Sequence, residues 1–128
     1  NLASRLEGLT KVYRLPFLVS EPVKRKVEKE VPLRLVDRVV VRGKKEVTSI
    51  YEPRKELGKQ EAKGWNLYSG GIKLYYKRDF EKAAKFFSYA QKLLPGDPVT
   101  QMFLARCKQY MKNPPEADWN GVVTITEK

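Results

Sequence analysis

The sequence predicts an α+β protein in two parts, a mixed helix-and-strand segment over residues 1–56 and a helical segment over residues 57–128. Three observations carry this. Between Leu2 and Tyr51 the apolar pattern changes period every ten residues or so, as alternating helices and strands require. From Trp65 to Met111 it settles into helical spacing, interrupted at Lys77-Arg78-Asp79 and at Pro95-Gly96-Asp97-Pro98. The run Pro53 to Lys59 between the two parts is charged and marks a boundary.

Each element has a local reason. Leu2, Leu6, Leu9 and Tyr13 recur at near-helical spacing, which predicts an amphipathic helix to Tyr13. Pro16 to Ser20 is a short apolar run suited to a buried strand. Glu21-Pro22 starts a short charged helix over Val23 to Lys29, with proline at a tolerated first-turn position. Leu33 to Arg42 alternates in part and is rich in β-branched residues; Gly43-Lys44-Lys45 and Val47 to Tyr51 follow, which predicts a hairpin. In the second part, helices are expected over Trp65–Lys77, Phe80–Leu94 and Val99–Met111, the last stopping before Pro114-Pro115. The alternating VVTIT near the end predicts one more short strand, in a tail grouped here with the helices.

Composition limits the function. No run approaches the ~20 apolar residues that span a bilayer, nothing resembles a signal peptide, and a cytoplasmic location is expected. One cysteine, Cys107, excludes an internal disulfide, and the lack of histidine argues against a conventional zinc site or a His-based triad. The formal charge is +11, with 14 basic and 8 acidic side chains in residues 1–58 and 12 and 7 in residues 59–128. So even a distribution reads as solvated surface; sequence-specific nucleic-acid binding would concentrate it. Partners bearing phosphate remain compatible.

In the helical part, Gly71, Leu74, Ala83, Phe87, Ala90 and Pro95 have a telling spacing. Small residues let two helices approach, an aromatic ring fills the gap, and proline ends the second helix. This resembles one tetratricopeptide repeat over Gly64 to Asp97, with the third helix as a cap. Leu74 replaces the usual aromatic and Gly70 a usual leucine. Packing against the first part is one role for such a hairpin, and binding a protein partner is the other. A non-catalytic interaction module is therefore the alternative to the reading below.

Asn1 and Arg5, four apart on the opening helix, share one face. Lys44 lies in the hairpin turn VRGKK. By spacing alone these are three polar residues of an ordinary surface. Taken together, NLASRLEGLTKVY, FLVSE and LRLVDRVVVRGKKEVTSIYE resemble the C-terminal half of a class III adenylate or guanylate cyclase catalytic domain, over residues 1 to about 53. The resemblance implies that Asn1 orients the ribose, Arg5 stabilises the pentavalent phosphate, and Lys44 (or its neighbour Lys45) holds the polyphosphate. These groups suit charge building on phosphate oxygens.

The resemblance also implies a parent that forms a 3′,5′-cyclic nucleotide from ATP or GTP, ATP being favoured, with Mg2+ or Mn2+. In the family the metal is held by a pair of aspartates upstream of Asn1, and the site forms between two catalytic domains, here expected as a homodimer. Asp37 has no acidic partner at metal-site spacing and reads as a structural or surface residue. The 128-residue chain alone is expected to be an inactive fragment with no metal bound, from the cytoplasmic portion of its parent. Half a catalytic sheet would leave strand edges open, so oligomerisation, strand exchange or partial disorder is expected in residues 1–58.

Overall fold

In the first helix, α1 (Leu2–Tyr13), Leu9 and Tyr13 are buried one turn apart. The helix ends on Arg14 in the left-handed conformation (φ 57°), while the Leu15 N–H donates back to the Thr10 carbonyl at 3.0 Å. That closes orphan carbonyls of the last turn. The computed structural model describes residues 2–41, 43 and 45–125. They fall in two units, Asn1–Glu56 with Asn120–Lys128, and Leu57–Trp119.

The first unit continues with β1 (Val19–Ser20), α2 (Glu21–Val27), β2 (Leu33–Val41) and β3 (Thr48–Pro53). β1 is shorter than the apolar run Pro16 to Ser20 suggests, because only Val19 and Ser20 find partners, Tyr51 and Ile50. β2 and β3 pair antiparallel, as the hairpin pattern predicts, from Leu33↔Pro53 to Val39↔Thr48. Their register slips between Leu35 and Asp37, so Val36 and Asp37 are both fully buried although they are neighbours. Leu18, Val36, Val39 and Ile50 join Leu9, Tyr13 and Leu15 in the core.

A fourth strand, β4 (Val123–Ile125), pairs parallel with β2 from Val39↔Val123 to Val41↔Ile125. The sheet order is β1-β3-β2-β4. Of the tail that the sequence groups with the helices, residues 120–125 fall with the first unit. The alternating VVTIT pattern signals a strand but not its partner, and β2 offers a free edge that a short segment can cover.

The second unit holds α3 (Lys59–Tyr76), α4 (Phe80–Leu93) and α5 (Pro98–Lys112). α3 starts well before Trp65: the Gly58 N–H donates to Glu61 Oε1 at 3.2 Å at its head. Asp79 and Asp97 cap the other two helices, accepting from Lys82 N and Thr100 N, each at 3.2 Å. Such caps contribute about 1 kcal/mol each. Between α3 and α4 the turn uses Arg78 at φ 69°, and Arg78 donates to the carbonyls of Glu116 and Pro115, both at 2.8 Å. Its guanidinium also lies 5.6 Å from the Trp119 ring centroid.

Small residues set the helix spacing. A Cβ on Gly71 would stand 2.8 Å from the Phe87 ring, and one on Gly64 would stand 2.5 Å from Leu94. Ala83 and Ala90 are fully buried. Phe87, Tyr68, Tyr75 and Phe103 fill the middle, with Phe87 stacked on Phe103 at 5.4 Å and edge-on to Tyr68 at 5.7 Å. Cys107 is buried here, and burial pushes its thiol up to about 12. Because thiolate is the reactive form, Cys107 is expected to resist a disulfide reagent at pH 8 in the folded chain and to react on denaturation. Rapid labelling of native protein would contradict this packing. Among the described residues, no helix is long and apolar enough to cross a membrane.

Candidate active site

Of the three residues to which the family resemblance gives roles, Arg5 is described, while Asn1 and Lys44 lie outside the described residues. Arg5 is half-buried on α1. Arg5, Leu9 and Tyr13 follow one another at four-residue spacing, so they run along a single helix face. Leu9 and Tyr13 take that face into the core, which holds Arg5 at the margin of the buried stripe rather than out in solvent.

Tyr13 closes the stripe with a polar contact. Its hydroxyl donates to Asp37 Oδ2 at 2.7 Å, and both residues are buried. Asp37 Oδ1 accepts from the Arg38 backbone N–H at 2.9 Å. Asp37 is thus a structural residue of the sheet. A second polar cluster sits in the same hairpin: Arg34 meets Glu52 through Nε at 2.8 Å and Nη2 at 2.7 Å, and Arg54 Nε meets the other Glu52 oxygen at 3.0 Å. Arg34 and Glu52 are direct cross-strand partners, and both side chains are inaccessible. Sequence reasoning missed this pair: Arg34 lies on the first expected strand, but Glu52 falls one residue past the second, Val47 to Tyr51, and their opposition depends on the bulge.

α2 is tied to the sheet through Tyr51. The Lys24 ammonium lies 5.4 Å from the Tyr51 ring centroid. Burial, together with the Glu21 carboxylate beside it, pushes the Tyr51 phenol up to about 12.

The carboxylates here do not form a metal centre. Among the described residues no group of three or more potential ligands comes together. The oxygens of Asp37 and Glu52 are engaged by Tyr13, Arg38, Arg34 and Arg54. The described residues can offer cations to an anion; they do not fit a Mg2+ or Mn2+ site.

The chain is 34% identical over 122 residues to the terminal-differentiation specific adenylate cyclase of Dictyostelium discoideum, a match covering 88% of the chain. It is 49% identical over 55 residues, 41% of the chain, to an adenylate cyclase of Anabaena cylindrica. The chain carries a cyclase-related domain. The first match is longer than the Asn1–Glu56 stretch, so the likeness to the cyclase of Dictyostelium reaches into the helices. The chain spans 6% and 11% of the lengths of these two relatives. No family model matches, and no solved structure matches.

Proposed function

We propose that this chain is part of a nucleotide cyclase that converts ATP to the 3′,5′-cyclic nucleotide and pyrophosphate. The ribose 3′-oxygen attacks the α-phosphorus, the bond from that phosphorus to the bridging oxygen breaks, pyrophosphate leaves, and the hydroxyl proton passes to solvent. Arg5 donates to the non-bridging oxygens of the pentavalent phosphate, where charge builds. Asn1 orients the ribose, and Lys44 holds the departing polyphosphate. A divalent cation would supply Lewis-acid assistance, held by residues outside those described, from a second catalytic domain. The chain alone therefore lacks turnover.

The observation that carries this reading is Arg5, half-buried at the margin of the core stripe of α1 in a chain related to adenylate cyclases. The test is Arg5→Ala in the intact polypeptide containing this chain, assayed for cyclic nucleotide from ATP and from GTP with Mg2+ or Mn2+. Removing one preorganised donor costs about 10²–10³ in rate. Turnover within about threefold of the unsubstituted enzyme, well short of that loss, would sink the assignment.

A further inference from the structure

Resting on that reading, we infer that Tyr13 is a positioning residue for Arg5, its hydrogen bond to Asp37 fixing the roll of α1 against β2. The apolar stripe of α1 needs only a large side chain at position 13, and phenylalanine would fill it. The structure has instead a buried phenol, 4% exposed, donating at 2.7 Å to a fully buried carboxyl group. Apolar packing is non-directional; a hydrogen bond is directional. This contact therefore specifies an orientation that Leu9 alone does not.

The acceptor is aimed by the backbone. A regular strand would send Val36 and Asp37 to opposite faces. The register shift between Leu35 and Asp37 turns both inward, and bulges commonly serve to re-aim a side chain. The Arg38 N–H then holds the second carboxyl oxygen at 2.9 Å, so the acceptor is itself fixed. Arg5 lies two turns away along the same face, about 12 Å by helical rise. In sequence, β2 precedes Lys44 by three residues. One hydrogen bond thus ties the helix bearing Arg5 to the strand that precedes Lys44 in sequence. If α1 rolls, the guanidinium moves sideways, and misplacement by about 1 Å can cost up to about 10²-fold in rate.

The experiment uses the intact polypeptide with four variants: Tyr13→Phe, Tyr13→Phe/Asp37→Ala, Arg54→Ala and Arg5→Ala. Tyr13→Phe is expected to lower kcat by about tenfold or more while KM for the triphosphate shifts less than about threefold, the signature of an interaction realised in the transition state. Adding Asp37→Ala should lower kcat little further, since the two groups act through one bond. Arg54→Ala also removes a partner from a buried carboxylate, but away from α1, and should leave kcat unchanged at a comparable loss of stability. Wild-type kcat in Tyr13→Phe, or an equal fall in Arg54→Ala, would overturn the inference. If Tyr13→Phe does not fold, Asp37→Asn carries the same test, keeping the shape with one acceptor oxygen for two donors. Retained activity in Arg5→Ala would instead overturn the cyclase reading itself.

Discussion

Glu52→Ala is expected to destabilise the sheet unit by about 3–5 kcal/mol, the usual cost of removing one partner of a buried ion pair. Arg34 would then stay inaccessible, at 1% side-chain exposure, without the carboxylate it meets through two nitrogens. Arg54 is different: its side chain is 40% exposed, so water can replace its lost contact. The same physics predicts that Arg34→Met/Glu52→Leu is near neutral, because two apolar groups of similar volume remove both desolvation penalties. Urea denaturation followed by far-ultraviolet circular dichroism reads both outcomes. A single substitution costing under about 1 kcal/mol would show that Arg34 has other means of hydration or pairing, contrary to the cost expected for a broken buried pair.

Phe87→Ala should cost a similar amount, about 3–5 kcal/mol, for a different reason. Phe87 is fully buried, stacked on Phe103 and edge-on to Tyr68, so truncation leaves a ring-sized void in the middle of three helices. The reciprocal change tests the same contact from the other side. Gly71→Ala places a methyl group 2.8 Å from that ring, which costs about 1–3 kcal/mol as overpacking and outweighs the gain in helix propensity. Combining Gly71→Ala with Phe87→Leu should cost less than the two changes summed, since the smaller side chain yields the space the methyl group needs. Strict additivity in thermal unfolding would show that ring and backbone do not press on each other.

These two sites also show what a single sequence discloses. Periodicity and the interruptions at Lys77-Arg78-Asp79 and Pro95-Gly96-Asp97-Pro98 indicated the last two helices, and the hairpin was visible in its alternation and its glycine turn. The start of α3 was hidden because Lys59 to Gly64 has no apolar period, and Gly64 argues locally against a helix. Its use is tertiary: the absent Cβ makes room for Leu94. In the site, Arg5 stood out through its spacing and its family resemblance. Asp37 was legible only as a structural or surface residue, and Tyr13 only as apolar, because a bulge decides which way Asp37 faces. A pattern of period two cannot announce where it will be broken.

The parallel strand from the tail bears on how the chain acquires its structure. During synthesis β2 emerges early, but its partner at Val123 emerges only after every residue of the helical unit. The helical unit, with its local pairings, can form as soon as its own residues are available. Closing the sheet then means joining Val39 to Val123 across a loop already shortened by ordered helices, which reduces the entropy of closure. Until that moment one edge of β2 stays open to strands of other chains. The length of the helical unit thus sets how long the edge of β2 waits, and prompt helix assembly leaves only the closure itself once Val123 has emerged.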